Sequence, residues 1–489
     1  MKDTAAITAS NTAMADYQKF GFKCGIEIHQ QLDTHKLFCK CPSIIIDTTP
    51  DFTITRKLIA AAGETGEIDI AASHEMTKEK SYEYNAYNKN TCLVELDEEP
   101  PHPINPEALS ISLIIAKLLH ARIVDQINIM RKTVVDGSNT SGFQRTALIA
   151  TDGYIDTSKG KVAIATICLE EDACKIVERN PEYDIYNLSR LGIPLVEIAT
   201  DTSIKDGEHA LEVASKLGMI LRSTKVKRGL GTIRQDVNLS VKGGARTEIK
   251  GFQDLKAIPA IIAKETARQL SLIQQGKKVE RTVRKAEPDF STTFMRPLPG
   301  AARMYPETDI PPITPDTSAI KLPKLLSEKK AELSKLGLSE ELASTIMKKE
   351  FTLFEEFVSK YKNLEPKFIA HTLVNTPKEI KKRYNLEPKI DHKSLNTIFQ
   401  HLASGKISKE AVLSILVEAA QGKSMALDKY QLLDDQQLKA EIKAIIAANK
   451  GMPLNALIGK AMEKLRGKAD GKKIVELIKI EQAFNKNFS

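Results

Sequence analysis

The chain has only six cysteines in 489 residues, Cys24, Cys39, Cys41, Cys92, Cys168 and Cys174, too few for a disulfide-stapled secreted scaffold. This usage fits a reducing cytoplasm. No apolar run approaches the roughly 20 residues that a bilayer-spanning helix needs, which excludes a membrane reading. Residues 1–16 lack the apolar core of a signal peptide, and residues 1–19 are expected to form a disordered tail. No Walker-type glycine loop, no Ser/His/Asp order and no cysteine-protease signature occurs, so P-loop enzymes and nucleophilic hydrolases are disfavoured. The absence of a short-period repeat disfavours a solenoid.

What is present is a 42% hydrophobic chain, long enough for several folding units, with a net charge of +8 that suits a polyanionic partner without demanding one. Residues 20–320 mix short β-branched runs such as "KVAIATICLEED", "IPLVEIATD" and "TIRQDVNLSV" with helical patterns such as "EALSISLIIAKLLHARI" and "DGEHALEVASKLGMILRST". Crowded prolines from Pro297 to Pro323 make a regular element there unfavourable and place a boundary near residue 320. The remainder reads as helical, with a second cut that separates residues 321–424 from 425–489. The expected fold is an α/β (α+β) domain followed by two all-α domains.

In "CGIEIHQQLDTHKLFCKCP", a strand would point Glu27 and His29 to one face and Ile26 and Ile28 to the other. Such a pair is either the start of a divalent-cation site or a polar strand face. "CLEEDACK" offers Glu170, Glu171 and Asp172, and Glu197 stands alone in the apolar run "IPLVEIAT". A buried carboxylate needs a partner, either a metal or a basic side chain. The loop "RKTVVDGSNTSGFQRT" sets Ser138, Asn139 and Gln144 around two glycines, with Lys132 near its start. It is either a backbone cradle for phosphate or an exposed turn. Arg234, Asp236 and Asn238 share one strand face, as do Arg246, Glu248 and Lys250, forming either an ion-pair ladder or a nucleotide site. Cys39 and Cys41 supply half a zinc site, but Cys92 is followed by Leu93, Val94 and Glu95 rather than a second cysteine, so zinc is disfavoured.

Taken together, the runs "GIEIHQQLDTHKLFCKCPS", "MRKTVVDGSNTSGFQRTALIA", "LSRLGIPLVEIATD", "RTEIKGFQDL" and "MRPLPGAARMYPETDIPP" resemble the GatB and GatE subunits of tRNA-dependent amidotransferases. The spelling is that of the archaeal GatE type more than the bacterial GatB type. "GKAMEKLRGKADGKKIVELI" is similar to the YqeY-like tail of that family. One departure stands out: "KAEPDFSTT" runs almost directly into "MRPLPG", where the GatE type usually carries an inserted domain resembling part of aspartyl-tRNA synthetases.

The resemblance implies a cradle-shaped kinase and transamidase domain, a helical domain and a tRNA-binding tail. It implies ATP-dependent conversion of glutamate misacylated on tRNA(Gln) to glutamine, with ATP as cosubstrate and Mg²⁺ held by Glu27, His29, Glu171 and Glu197. Lys132, Arg234, Arg246 and Lys250 would meet the phosphates, with Asp236 and Asn238 beside them, and Ser138, Asn139 and Gln144 would face the glutamyl group. Arg466, Lys468, Lys472 and Lys473 form the candidate tRNA patch, with a solvated helix face as the alternative. An asparaginase-like partner of the GatD type would supply ammonia within a hetero-oligomer such as a heterotetramer. The competing expectations are a GatB-type protein with an amidase-type partner and a catalytically inactive tRNA-binding protein of the same fold.

Overall fold

A computed structural model describes residues 17–63, 66–300, 304–387, 391–423, 427–449, 451–465, 468–469 and 471–487, with side chains 348–349 and 482–487 excluded. The expected disordered tail falls mostly on residues 1–16, outside the described set. Its last residues differ from that expectation: Tyr17–Phe20 form a 3₁₀ helix, and Tyr17 packs against the core with Phe22. The chain divides into two compact units, residues 1–325 and 326–489. Among the described residues no helix is long and apolar enough to cross a membrane.

The first unit is the mixed α/β half. Its strands are β1 (Lys23–Gln31), β2 (Phe52–Arg56), β3 (Ser81–Ala86), β4 (Arg122–Ile123), β5 (Ile129–Thr133), β6 (Phe143–Thr157), β7 (Gly160–Glu171) and β8 (Lys175–Arg179). They continue with β9 (Tyr183–Asn187), β10 (Pro194–Thr200), β11 (Ile233–Ser240), β12 (Thr247–Lys250), β13 (Thr282–Ala286), β14 (Thr292–Pro297) and β15 (Met304–Pro306). Helices α1 (Ile70–Met76), α2 (Pro106–Leu118), α3 (Gly207–Leu221) and α4 (Ile258–Gln274) are interspersed.

The large sheet runs β14-β13-β12-β11-β1-β10-β7-β6-β5-β15, with β4 paired to β6. Ten strands laid flat at about 4.8 Å spacing would span about 43 Å. The seven chain steps from Pro297, ending β14 on one edge, to Met304, starting β15 on the other, reach at most about 25 Å. The sheet therefore curves until its edges approach. The proline-rich stretch is not wholly irregular, as the sequence suggested: Met304–Pro306 pair with β5 as an edge strand, where proline's missing N–H is tolerated.

Period-two alternation divides the sheet chemically. Ile26 and Ile28, Ile167 and Leu169, Val196 and Ile198, Val237 and Leu239, and Ile249 are at most 2% exposed, in a core completed by α2, α3 and α4. Each such aliphatic side chain contributes about 1.5–3 kcal/mol by leaving water. The helices begin on side-chain caps: Asn105 accepts from the Glu107 and Ala108 amides, and Asp206 from the His209 amide. With that face packed, the intervening residues are left on the open face.

A second sheet, β2-β3-β9-β8, carries a tyrosine shelf of Tyr82, Tyr84 and Tyr186. Tyr82 and Tyr186 donate their hydroxyls to the Val135 and Asp136 carbonyls, at 3.0 and 2.6 Å, and so hold the Val135–Asn139 loop. Gly137 has φ +84°, and a Cβ there would stand 2.2 Å from the Tyr82 ring, so the loop requires glycine.

The second unit is helical: α5 (Leu326–Lys335), α6 (Glu340–Lys349), α7 (Phe351–Lys360), α8 (Pro366–Tyr384), α9 (His392–Ala403), α10 (Ala411–Ala420), α11 (Asp435–Ala448), α12 (Leu454–Leu465) and α13 (Gly471–Asn487). Phe354, Phe357 and Phe399 centre one core, and Leu438, Ile442, Leu457, Ala461 and Ile474 another. Asp434 and Gln437 close a capping box at the start of α11.

Candidate active site

The open face of the large sheet collects charge because β1, β10, β7, β11 and β12 are neighbours in register. His29 lies opposite Glu197 on β10 and Arg234 on β11, Glu27 lies opposite Asp236, and Glu197 lies opposite Cys168. His29 Nε2 is 3.3 Å from Glu27 Oε1 and 3.2 Å from Glu197 Oε2. Glu170 Oε1 is 3.9 Å from the same nitrogen.

The protonation states follow from this crowding. Burial pushes Glu27 up to about 7, reinforced by the Glu197 charge and partly offset by His29 and Lys250. Burial opposes the His29 charge, but the hydrogen bond and charge of Glu197, with Glu27 and Asp236, raise it to about 9. Burial would also raise Glu197, yet Lys132 and His29 hold it well below the usual carboxylate range. The cluster is thus an anionic nest that stabilises positive charge.

Ligand atoms of Glu27, His29 and Glu197 all lie within 4.8 Å of one another. Ligands held about 2.1 Å from Mg²⁺ stand about 3–4.2 Å apart, so small side-chain shifts suffice to close a site of two carboxylates and one imidazole. Glu27, Asp236 and Glu248 form a second acidic triplet. There Lys250 Nζ already supplies a cation, 2.6 Å from Asp236 and 2.5 Å from Glu248.

Basic side chains rim the acids. Lys132 Nζ is 2.8 Å from Glu170 Oε2 and 3.5 Å from Glu197 Oε2. Arg234 is anchored at 2.9 Å by fully buried Asp172, which also accepts from Gln31 Nε2 at 2.6 Å. These groups line a cavity of about 750 Å³, together with Ser138, Asn139, Gln144, Asp236, Arg246 and Lys250. Ser138 donates to Asp136 at 2.6 Å, and Gln144 to the Glu171 carbonyl at 2.5 Å. Asn139 is 2% exposed, and its Oδ1 has no hydrogen-bond partner among the described residues. Asn238 does not line the cavity; it accepts from Arg246 Nε at 3.0 Å and so positions that guanidinium.

Glu171 is a correction. It shares the strand parity of Ile167 and Leu169, and its carboxylate is 3.3 Å from the Arg145 amide and 3.5 Å from Arg145 Nη1, away from the cation cluster. Glu170 has the parity of Cys168 and faces His29. Alternation with the aliphatic positions carried the signal for Glu170, and it also pointed to Glu248. Asp136 and Asp172 gave no comparable signal, because each sits just beyond a strand end.

The cysteine reading is corrected as well. Cys39, Cys41 and Cys92 come together with Glu95, their ligand atoms within 4.8 Å of one another, so the argument against zinc from spacing alone fails. Cys39 Sγ is 2.9 Å from Glu95 Oε1, and the Cys41 amide points at Cys39 Sγ from 3.4 Å. Three thiols and a carboxylate are a zinc-type donor set.

The family model described as GatB/GatE catalytic domain matches residues 22–321, across every strand that builds this cavity. The chain belongs to the GatB/GatE family. A further family model, described as GatB domain, matches residues 352–481. The E subunit of the glutamyl-tRNA(Gln) amidotransferase of Methanocaldococcus jannaschii is 37% identical, over 95% of this chain and 99% of that relative. Its counterparts in Sulfurisphaera tokodaii and Archaeoglobus fulgidus are 36% and 34% identical, each over 95% of this chain and over 99% and 98% of their own lengths.

The alignment with the M. jannaschii protein runs over 624 positions against 489 residues here, so at least 135 of them (624 less 489) have no counterpart in this GatB/GatE chain. In the tail, Arg466 lies outside the described residues. Lys468 and Lys472 are exposed, while Lys473 pairs with Asp435 at 2.5 Å and so helps tie α13 to α11.

Proposed function

We infer that this chain is the kinase and transamidase subunit of a glutamyl-tRNA(Gln) amidotransferase, acting on glutamate misacylated onto tRNA(Gln). The observation that carries this reading is the convergence of Glu27, His29, Glu197 and Lys132 on one open sheet face within a cavity of about 750 Å³. A glutamyl carboxylate resists ammonia because its carbon is electron-rich and oxide is no leaving group. Activation comes first: a carboxylate oxygen attacks the γ-phosphorus of ATP, the bond to the β-phosphate oxygen breaks, and ADP leaves. Ammonia then adds to the acyl carbon, the bond to phosphate breaks, and an amide, inorganic phosphate and a proton result.

Phosphoryl transfer is governed by positioning and charge neutralisation. Mg²⁺ held by Glu27, His29 and Glu197 would neutralise charge on the transferring group. Lys132, Arg234 and Arg246 line the cavity where phosphate oxygens would lie, and Lys250 is fixed between Asp236 and Glu248. Asn139 Oδ1, buried without a partner among the described residues, is suited to accept a hydrogen bond from the glutamyl α-ammonium. Lys468 and Lys472 are exposed for tRNA phosphates.

In this reading ammonia comes from an asparaginase-like partner, as the resemblance to the GatE type implies. The test replaces that partner with an ammonium salt: the purified chain, glutamyl-tRNA(Gln), ATP and Mg²⁺ then form glutaminyl-tRNA. Efficient glutamine hydrolysis by the chain alone, or product formation without ATP, contradicts the reading.

A further inference from the structure

The turn that feeds β11 holds one apolar side chain out in solvent. Gly229, Leu230 and Gly231 form its tip, with φ +123° at Gly229 and +79° at Gly231, and Leu230 is 99% exposed. Those backbone angles belong to glycine, so the tip folds back tightly and carries a single side chain. The foot of the turn is pinned from inside. Gln30, 2% exposed on β1, donates its side-chain amide to the Lys227 carbonyl at 3.0 Å and to the Thr232 carbonyl at 3.1 Å. The Gln31 amide donates to the Thr232 carbonyl and the Lys227 amide to the Gln31 carbonyl, each at 2.9 Å. Thr232 Oγ1 donates to the Gly229 carbonyl at 2.9 Å, and Lys227 Nζ to the Ser43 carbonyl. A lone surface leucine needs no explanation. One presented on a turn fixed by a buried amide is preorganised for contact.

The charge around the tip says what kind of partner fits. Arg228 is exposed and donates to the Arg222 carbonyl at 3.2 Å. Burial and the Arg228 charge both lower Arg222 from its ordinary value, and among the described residues no acid offsets them. Of the acids at the foot, Glu107 pairs with Lys225 at 2.6 Å, and Asp33 faces Lys225 and Lys227. Guanidinium groups without a carboxylate suit phosphate oxygens. An apolar side chain beside them suits the sugars and base faces of a nucleic acid rather than a bare anion. Position selects the segment: β11 begins at Ile233, about 10 Å along the strand from Asp236, which lies opposite Glu27. Arg234, between them, lines the cavity. A glutamyl group placed beside Glu27, His29 and Glu197 hangs from the 3′ terminus of its tRNA, so the nucleotides before that terminus must cross the cavity rim.

We propose that Arg222, Arg228 and Leu230 form a contact for the acceptor end of the tRNA, with the guanidinium groups on its phosphates and the leucine against sugar and base. The proposal rests on the functional reading above and adds a guide for the 3′ end outside the cavity.

The test uses the full chain with its ammonia-supplying partner and two RNAs: glutamyl-tRNA(Gln), and a glutamylated hairpin that carries only the acceptor stem. Leu230→Ser and Arg228→Gln change exposed side chains that take no part in the core. Leu230→Ser is expected to raise the dissociation constants of both RNAs about tenfold, the scale of one leucine leaving water, with the ATP KM unchanged. Leu230→Met, which keeps the tip apolar, restores most of the affinity. Arg228→Gln should weaken binding and also reduce the slope of log K against log salt by about one, whereas Leu230→Ser leaves that slope as it is. A hairpin that does not bind, or whose binding ignores the tip while that of the tRNA responds, would put the contact elsewhere on the RNA. Weakened association with the partner, with both RNA constants unchanged, would make the tip a protein-docking device. Either result overturns the proposal, as does no change in any of these quantities. Failure of the unsubstituted complex to form glutaminyl-tRNA would instead overturn the functional reading.

Discussion

Glu170 and Glu171 are neighbours in the chain that face opposite ways across one sheet: Glu170 lies 3.9 Å from His29 Nε2, and Glu171 lies 3.5 Å from Arg145 Nη1. One faces the cation cluster, and the other is held by Arg145. Glu170→Gln is expected to lower transamidation about 100-fold, in line with loss of one preorganised electrostatic group, with the melting temperature little changed. Glu171→Gln should do the reverse, costing about 1 kcal/mol of stability and leaving the rate within a few-fold. Steady-state rates and urea midpoints of the two variants, measured side by side, check the assignment.

Asp172 is a positioning residue: it fixes the Arg234 guanidinium at 2.9 Å and is held below the usual carboxylate range, Arg234 and Arg190 outweighing the effect of burial. Asp172→Asn keeps the shape but removes the charge that aims Arg234. Its ATP KM should rise about tenfold, with the tRNA KM unaffected, the loss of roughly 1.4 kcal/mol being modest for a charge-assisted bond. Equal rises in both constants would mean general collapse of the cavity.

Gly137 stands against the tyrosine shelf in a backbone conformation that L side chains rarely adopt. Gly137→Ala forces the Ser138–Asn139 loop off Tyr82 and Tyr186. A stability loss above about 1 kcal/mol is expected from strain alone, together with a raised KM for glutamyl-tRNA. Tyr82→Phe, which removes only the bond to the Val135 carbonyl, should show a weaker form of both effects.

Glu265 on α4 is fully buried and bonded to Arg268 at 2.6 Å and Thr292 at 2.7 Å. Burial would raise it, but Arg268, Thr292 and Gln269 together hold it below its ordinary value of 4.5. A carboxyl group depressed in the folded state stabilises above that ordinary value, and the contribution is lost as pH falls through the folded value. Glu265→Gln should therefore cost about 3 kcal/mol near neutral pH, and the gap between the urea midpoints of wild type and variant should close in acid. A gap independent of pH contradicts the ion-pair account.

Much of the fold was legible because alternation is local. β7, β10 and β11 fall where "KVAIATICLEED", "IPLVEIATD" and "TIRQDVNLSV" placed strands, and Glu27 and His29 do share a face. The same rule, applied one residue more carefully, separates Glu170 from Glu171, since Ile167 and Leu169 declare the buried side. What stayed hidden depends on contacts between distant segments. Glu95 meets Cys39 across 56 residues, and Asp172 meets Arg234 across 62, so no spacing within either segment announces the pair. The edge strand Met304–Pro306 was hidden for a related reason: its proline is tolerated only because that strand has a single neighbour.

The most direct test of the central claim traps the activated intermediate. The chain is incubated with glutamyl-tRNA(Gln), Mg²⁺ and ATP labelled in its γ-phosphate, first without ammonia and then with an ammonium salt, and both the label and the esterified amino acid are followed. Label should accumulate on the aminoacyl-tRNA, disappear when ammonium is added as glutamine replaces glutamate, and be absent throughout with Glu197→Gln. Glutaminyl-tRNA formed at undiminished rate by Glu197→Gln, or formed by the wild-type chain with no labelled intermediate, would contradict the account.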